Sequence, residues 1–354
     1  MPKWLFSLAA AVVCAFALTS AADAQNRKVT LNFGLSYVPI GNSPVFTVPR
    51  AMGFWAEEGL DVEIQHANGS GPALQQLIAG QVDAAVAGFP PAFSLIEQGA
   101  PVKIVASINS RNIYYPVALE TSKIMSIADM KGAKVGVLSA ASSNVFWIKS
   151  TLKKHGLDPE NDVEIIAVGA GPQALQALAS GQIDVLQLFE ASYDQIEQAG
   201  HPLRRFDGDE EFNKLAFTFG VVMRQDTIDN DPDLVEGLVR GIAKGIVYAN
   251  AHPEDVVRMH WEYYPTVKPQ GVSDEEAMAK DLPILKGALR NHQWAYEGKF
   301  GWAEPFQIEA VLTTLHEFEA LKTALTPEQV FEPKFVELSN DFDHDKLIAM
   351  PPKQ

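Results

Sequence analysis

The chain has 354 residues, of which 47% are apolar and 20% are charged, and its formal net charge is −16. This length and composition predict a folded protein of about two domains and exclude extensive disorder. So acidic a surface argues against nucleic acid or an anionic membrane as the main partner, although it does not exclude a local positive site for a small anion.

Residues 1–24 have the features of a secretory signal peptide. Lys3 supplies the basic start, a mostly apolar run of 14 residues follows, and Ala22-Asp23-Ala24 supplies the small residues of a cleavage site. The run is shorter than the roughly 20 residues that a membrane-spanning helix needs. We therefore expect cleavage after Ala24, export to the periplasm and no membrane insertion of the mature chain.

The single cysteine of the chain, Cys14, lies within this segment. The mature chain is therefore expected to contain no cysteine, which excludes disulfides, thiolate nucleophiles and cysteine-based metal sites from it. Cys14 could carry a lipid only if it stood at the cleavage site. Its position in the middle of the run favours a soluble exported protein.

Strands and helices alternate through the first two hundred residues, which predicts βαβ units and a mainly parallel sheet. The first set has predicted strands over 29–36, 61–67, 82–88 and 102–108, with helices over 44–60, 71–80 and 91–100. The pattern then restarts, with strands over 132–138, 162–168, 183–189 and 202–206 and helices over 142–157, 171–181 and 191–200.

The two sets are also similar residue by residue. Ala73–Gly88 reads ALQQLIAGQVDAAVAG and Ala174–Phe189 reads ALQALASGQIDVLQLF, so a helix, a Gly-Gln turn and a strand are repeated at an offset of 101 residues. The period is too long for a solenoid and predicts two similar α/β lobes in succession. Asp83 and Asp184 end the shared turn, and we interpret them as structural caps of the helix-to-strand junction rather than as a catalytic pair.

After residue 206 the alternation breaks. An acidic loop over 207–214 precedes a predicted strand over 216–224, and helices then dominate, over 232–253, 275–291 and 305–324. We expect the chain to return to the first lobe near 215–222 and to lay these helices on it. The expected bounds are 25–115 with 217–354 for lobe one, and 116–216 for lobe two.

A ligand site is expected in the cleft between the lobes. Open parallel sheets bind ligands beyond the carboxyl ends of their strands, where the N-termini of helices carry a partial positive charge. The strand-to-helix loops are rich in hydroxyl and aromatic side chains, above all the SAASSN loop at 139–144. The predicted ligand-binding residues are Tyr37, Asn42, Gly71, Phe89, Tyr114, Tyr115, Ser142, Ser143, Asn144, Gly171, Phe189 and Glu190.

Each of these residue types also has a purely structural interpretation. Ser142, Ser143 or Asn144 must cap the helix that follows. Each aromatic side chain could pack in the core instead of forming a wall of the site. Arg111, near these loops, either pairs with an anion or lies at the surface.

Patterns typical of cofactor, metal and catalytic sites are incomplete. The stretch 169–174 fits a loose dinucleotide-binding pattern, but its repeat at 69–74 does not, so a shared tight turn explains both. His316-Glu317 begins a zinc motif whose second histidine position holds Ala320. We therefore expect no cofactor, no metal and no catalytic residue.

Several stretches together resemble one superfamily. PRAMGFWAEEGLDVEI, LIAGQVDAAVAG, ADMKGAKVGV, LASGQIDV and FGVVMR resemble the nitrate, sulfonate and taurine-type solute-binding proteins of ABC transporters, which share a domain with thiamine-pyrimidine synthases. The resemblance covers about residues 29 to 260. It implies a type II periplasmic binding protein-like α/β fold, with two lobes, two crossover segments and additional C-terminal helices.

The resemblance also implies a function and partners. Such proteins capture a small organic solute between their lobes, close over it like a Venus flytrap, and deliver it to the transmembrane permease of an ABC importer. We expect a small carboxylate or sulfonate, aromatic in part, as the ligand. The alternative is a pyrimidine or thiamine-precursor-like heterocycle. An enzyme like the fungal pyrimidine synthases is a weaker alternative, because these use a cysteine-rich motif.

Overall fold

The computed structural model describes residues 26–208, 210–213, 215–292 and 299–351. The expected signal peptide and its cleavage point after Ala24 lie outside these ranges. Within them, no helix combines the length and the apolar character that crossing a bilayer requires.

Ten strands of the described chain form two mixed sheets of five strands. The strands of the first sheet are β1 Arg27–Phe33, β2 Leu60–His66, β3 Ala84–Gly88, β4 Val102–Ser107 and β10 Phe219–Arg224. Their order in the sheet is β2-β1-β3-β10-β4. The strand β1 pairs in parallel with β2 and β3, whereas β10 runs antiparallel to both β3 and β4.

The second sheet repeats this topology. Its strands are β5 Pro116–Leu119, β6 Lys134–Val137, β7 Glu164–Ala167, β8 Val185–Gln187 and β9 Leu203–Arg205. Their order in the sheet is β7-β6-β8-β5-β9. The strand β6 pairs in parallel with β7 and β8, whereas β5 runs antiparallel to both β8 and β9. The sequence repeat therefore corresponds to a repeated sheet, and in each sheet the antiparallel strand takes the fourth place.

Helices cover both sheets, and the longest follow β10. They are α1 Ser43–Ala51, α2 Phe54–Glu57, α3 Ser70–Ile78, α4 Phe89–Glu97, α5 Ser143–Lys154, α6 Pro172–Ala179, α7 Glu190–Gln198, α8 Glu210–Asn213, α9 Gln225–Asn230, α10 Pro232–Ala251, α11 Pro253–Tyr263, α12 Asp274–Asn291, α13 Pro305–Glu317, α14 Pro327–Val330, α15 Lys334–Ser339 and α16 His344–Ile348.

We call the first sheet with its helices the first lobe, and the second sheet with α5, α6 and α7 the second lobe. The chain passes to the second lobe between β4 and β5 and returns between β9 and β10. The exact bounds, 25–115 with 217–354 and 116–216, remain a proposal. The return strand lies where the sequence predicted it, but β5 and α11 were not predicted.

The prediction of one continuous helix over 44–60 is wrong, because the structure has two shorter helices, α1 and α2, in this stretch. Gly53 has a φ of 79°, in the left-handed region, and separates α1 from α2. The interruption lets Trp55 turn into the core of the first lobe, where its indole N–H donates to the carbonyl oxygen of Leu238, 3.0 Å away. On α10, Gly241 leaves room for this ring, since a Cβ there would lie 2.1 Å from Trp55 Cδ1.

Asp83 and Asp184 have the structural role that the sequence predicted. The Asp83 carboxylate accepts the backbone N–H of Thr30 at 2.7 Å, and the backbone N–H of Asp83 donates to the Thr30 carbonyl. Asp184 makes the same pair of hydrogen bonds with Lys134, the first residue of β6. Each aspartate thus fixes the start of its strand beside the neighbouring parallel strand, far from the cleft edge of the sheet.

The two lobes touch across the cleft. The backbone N–H of Gly71 donates to the carbonyl oxygen of Ala141, and the hydroxyl of Ser139 donates to the carbonyl oxygen of Asn68, both at 3.0 Å. These contacts connect the start of α3 with the loop before α5. The structure is therefore a form in which the lobes are closed on each other.

Substitution of Gly88 should open this form. A Cβ at Gly88 would lie 2.0 Å from the hydroxyl oxygen of Ser143 and 2.6 Å from its Cβ, across the lobe contact. We expect Gly88→Ala to separate the lobes without unfolding either of them, because separation avoids an overpacking strain of about 1–3 kcal/mol. Small-angle X-ray scattering should show a larger radius of gyration, with unchanged far-ultraviolet circular dichroism.

Two further variants make this prediction specific. Gly208→Ala is the matched control, because a Cβ there meets open space. Combining Gly88→Ala with Ser143→Gly removes both clashing atoms and should restore the compact form. A single Gly88→Ala variant as compact as the wild type would contradict the closed arrangement described above.

A buried histidine ties α11 to the turn that precedes α1. His260 Nε2 lies 3.1 Å from the carbonyl oxygen of Val38, and its Nδ1 lies 2.8 Å from Thr47 Oγ1. Because a carbonyl only accepts, Nε2 carries the proton and Nδ1 accepts the threonine hydroxyl. Burial lowers the pKa of His260 to about 4, so the ring is neutral at physiological pH.

This pKa predicts acid destabilisation. Since the unfolded chain binds the proton near pH 6.5 and the folded chain only near pH 4, the free energy of unfolding should fall as the pH drops through this window. At 1.36 kcal/mol per unit of pKa difference, His260 contributes about 3 kcal/mol to this fall in the free energy of unfolding. Urea titrations at pH 7 and pH 4 should show that the free energy of unfolding falls less in His260→Gln than in His155→Gln, the control at an exposed histidine. Equal falls in the two variants would contradict the assignment of the acid effect to His260.

Candidate functional site

A cavity lies between the lobes at the edge where the parallel strands end. The first lobe contributes the ends of β1 and β3, the loop after β4, the start of β10 and the starts of α1 and α3. The second lobe contributes the ends of β6 and β8 and the starts of α5 and α7. Because β10 is antiparallel, it presents its first residue, Phe219, at the same edge as the last residues of its neighbours.

The cavity has a volume of about 70 Å³. Because this volume counts only the positions open to the centre of a water molecule, it corresponds to about five waters, which in the liquid take up roughly 150 Å³. A single substituted six-membered ring is of this order. In the closed form, the cavity therefore suits a small solute rather than a large fused-ring ligand.

The structure brings six of the twelve predicted site residues together around this cavity. Three are polar residues at helix starts, one is a tyrosine in the segment where the chain passes from β4 to β5, and two come from the end of β8 and the start of α7. They are Asn42, Tyr114, Ser143, Asn144, Phe189 and Glu190.

Three more predicted residues lie at the lobe contact beside the cavity and not in its lining. Tyr37 hydrogen-bonds the side chain of Gln195 on α7, which connects the two lobes, and burial raises the pKa of its hydroxyl. Its hydroxyl also packs on Gly171, where a Cβ would be 3.2 Å away. Gly71 donates its N–H to Ala141, and a Cβ there would lie 2.7 Å from the Ala141 carbonyl oxygen. All three residues therefore contribute to the contact between the two lobes.

The last three predicted residues lie in the protein interior. Phe89 is fully buried in the first lobe, with its ring 4.5 Å from that of Phe217. Tyr115 packs against Tyr193 and accepts a hydrogen bond from Arg205, while burial raises its pKa above the usual range. Ser142 is the N-cap of α5 and turns its hydroxyl back to a carbonyl oxygen of its own loop.

Hydroxyl groups meet at the starts of α3 and α5. Ser70 accepts a hydrogen bond from the backbone N–H of Gly88 at 3.0 Å and from the hydroxyl of Ser143 at 3.1 Å. Beside them, the Asn144 amide donates to the carbonyl oxygen of Leu188 at 2.8 Å. This chain of hydrogen bonds joins β3 and α3 of the first lobe to α5 and β8 of the second, along one side of the cavity.

Aromatic rings and aliphatic side chains form the opposite walls. Tyr114 stacks on Trp147 with their ring planes 11° apart, and burial raises the pKa of its hydroxyl above the usual range, so the hydroxyl stays neutral. Phe33, Phe189 and Phe219 also line the space. Such walls suit the faces of a planar or apolar ligand body.

A charged cluster closes the remaining side. The Nη2 of Arg111 donates to both carboxylate oxygens of Glu190, at 2.8 and 2.9 Å, and its Nε donates to the side chain of Asn291. The Asn291 amide in turn donates to Glu190. Of the two charged groups, only Glu190 lines the cavity. Arg111 is thus paired with a carboxylate of the protein itself, and its side chain is half-exposed at the surface.

Four polar residues of the lining were missed by the sequence analysis: Ser70, Asn109, Asn291 and His292. Ser70 and Asn109 follow strands, so their position in the chain was a usable signal. Asn291 and His292 end α12, a helix expected only to cover the first lobe. Burial lowers the pKa of His292 to about 4, so its ring is neutral.

The electrostatics of the lining are therefore unusual for an anion site. Among the lining residues that the structure describes, Glu190 is the one acidic side chain, and none is a lysine or an arginine. Several amides at the starts of helices are already used, since Gly71, Gly88 and Phe89 donate to protein acceptors. Within the described residues, no group of three or more histidine, cysteine or acidic side chains is placed to hold a metal ion.

Comparison with known proteins agrees with the fold. The riboflavin-binding protein RibY of Chloroflexus aurantiacus is 22% identical over 77% of this chain and 78% of its own length. The formylaminopyrimidine-binding protein of Halalkalibacterium halodurans is 22% identical over 93% and 97%. The solved structure of the periplasmic nitrate-binding protein NrtA from Synechocystis PCC 6803 superposes with a TM-score of 0.65, at 16% identity, over 92% of both chains.

These likenesses, together with the two sheets of identical topology, establish a periplasmic binding protein-like fold. A family profile described as NMT1/THI5 like matches residues 42–256, about three-fifths of the chain. The chain belongs to the NMT1/THI5-like family.

Proposed function

We propose that this protein is the solute-binding component of an ABC importer and acts in the periplasm. In this role it captures a small solute between its lobes and presents it to a transmembrane permease. The observation that carries the proposal is the cavity, whose lining comes from both lobes. A ligand can shift an open–closed equilibrium only through better contacts with the closed form, and a ligand that touches both lobes has them.

The comparisons support binding rather than catalysis. The relatives reported above are named for what they bind, and the structural neighbour is a periplasmic binding protein. The sequence supports the same view, because the thiol chemistry of the related synthases has no cysteine to use in the expected mature chain.

For the ligand, the lining favours the alternative of the sequence analysis, a pyrimidine-like heterocycle. The carboxylate of Glu190 would repel an anion, and the nearby Arg111 is already paired with it. The aromatic walls and the side-chain amides instead suit the faces and edges of a neutral, planar ring. The volume also corresponds to about one ring.

A small carboxylate or sulfonate remains the second candidate. The hydroxyls of Ser70 and Ser143, at the starts of α3 and α5, are donors of the kind that hold an oxyanion. In the closed form the Ser143 hydroxyl donates to that of Ser70, so an anion that accepts from Ser143 would have to displace this hydrogen bond.

A thermal-shift screen of residues 25–354 tests this choice. We expect 4-aminopyrimidine and cytosine to raise the melting temperature, and benzoate and methanesulfonate to leave it unchanged. At 100 times the dissociation constant, a bound ligand adds about 2.7 kcal/mol to the free energy of unfolding.

Gly88→Ala serves as the matched protein control. Because it separates the lobes, it should weaken the shift caused by a ligand held between them, whereas a ligand on one lobe's surface would shift both proteins equally. If only benzoate or methanesulfonate raised the melting temperature, the ligand would be a small anion and not a pyrimidine-like heterocycle. An equal shift in wild type and Gly88→Ala would contradict binding in the cavity.

A further inference from the structure

Two polar atoms in the wall of the cavity have no hydrogen-bond partner within the described part of the chain. The Nδ2 of Asn109 and the Nδ1 of His292 are buried, and neither has a hydrogen-bond partner among the residues that the structure describes. Both residues line the cavity, and each is only 5% exposed. Buried polar groups in folded proteins are nearly always hydrogen-bonded, so an unpaired group at a cavity indicates a partner that arrives from outside the chain.

The two residues are held close together by their neighbours in the chain. Ser110, next to Asn109, donates both its backbone N–H and its hydroxyl to the carbonyl oxygen of Asn291, at 2.8 and 3.1 Å. Asn291 is the last residue of α12 and directly precedes His292. The loop after β4 and the end of α12 therefore lie against each other, and Asn109 and His292 line this corner of the cavity.

The chemistry of this corner is complementary. The Asn109 amide nitrogen only donates, whereas a neutral imidazole nitrogen accepts when the other ring nitrogen holds the proton. Burial keeps the His292 ring neutral, with a pKa of about 4. Glu190, which also faces this space, adds acceptor oxygens that already receive Arg111 and Asn291. With the proton on Nε2 of His292, the corner thus offers both a donor and an acceptor.

Resting on the proposed function, we infer that Asn109 and His292 are the pair that selects the ligand. The Asn109 amide donates to a ring nitrogen of the ligand, and His292 Nδ1 accepts an N–H from the adjacent exocyclic amino group. The ligand class is therefore an aminopyrimidine or another heterocycle with an amidine-like edge. The apolar rings of the opposite wall take the faces of the same heterocycle.

Isothermal titration calorimetry with two matched probes tests this inference. The probes are 4-aminopyrimidine, which carries the amidine-like edge, and pyrimidine, which lacks the amino group. Asn109→Leu and His292→Phe keep the volume approximately and remove the polar atoms. Each should weaken binding of 4-aminopyrimidine at least tenfold and should reduce the preference of the wild type for it over pyrimidine.

A second readout separates selection from a structural role. Since both atoms are unpaired in the free protein, neither variant should unfold more readily in urea than the wild type does. Thr218→Val is the matched control, because it removes another buried unpaired hydroxyl that lies outside the cavity lining; its affinity should equal that of the wild type. If His292→Phe fails to fold, His292→Gln replaces it.

Each outcome has a distinct meaning. If the wild type binds 4-aminopyrimidine and both variants bind it equally well with unchanged preference over pyrimidine, the selecting pair is wrong while the proposed function stands. If the variants lose affinity for both probes by the same factor, the residues shape the cavity and do not select the ligand. If the wild type binds benzoate or methanesulfonate and not 4-aminopyrimidine, the inference fails together with the ligand class.

Discussion

The first sheet of this protein is completed by a strand that the chain forms only after its passage through the second lobe, and in each sheet the strand next to a crossing takes the fourth place. The strand β10, which the chain forms after it leaves the second lobe, inserts between β3 and β4, and β5 inserts between β8 and β9 immediately after the chain arrives there. The first sheet therefore forms in full only after the chain has passed through the second lobe and returned, whereas the strands of the second sheet are consecutive in the chain. The two crossings therefore connect the lobes side by side, and the cleft edges of the two sheets face each other.

From this constraint the properties of the cavity follow. The strand ends and helix starts of both lobes meet at one place, so short polar side chains from each lobe come within hydrogen-bonding distance, as Ser70 and Ser143 do. In this closed form, polar atoms such as Asn109 Nδ2 are buried without a hydrogen-bond partner among the residues that the structure describes. A solute that supplies these hydrogen bonds would stabilise the closed form, which is the property that a capture protein needs.

Periodicity and the internal repeat predicted most of the fold, because the signals for buried strands and amphipathic helices are local. The direction of individual side chains was not predictable in the same way. Tyr114 and Tyr115 are adjacent, yet the first lines the cavity and the second packs on Tyr193. Ser142 and Ser143 differ likewise, since Ser142 is the N-cap and donates to a carbonyl oxygen of its own loop, whereas Ser143 donates to Ser70 in the other lobe. His292 reaches the site through the long-range packing of α12, which no local pattern encodes.

Native mass spectrometry of residues 25–354, incubated with a pool of small heterocycles and organic anions, tests the central claim most directly. The account predicts a complex of one protein with one small molecule, which is released on denaturation with its mass unchanged. Failure to retain any member of the pool, or release of a compound with an altered mass, would contradict the claim that the closed lobes hold a solute without transforming it.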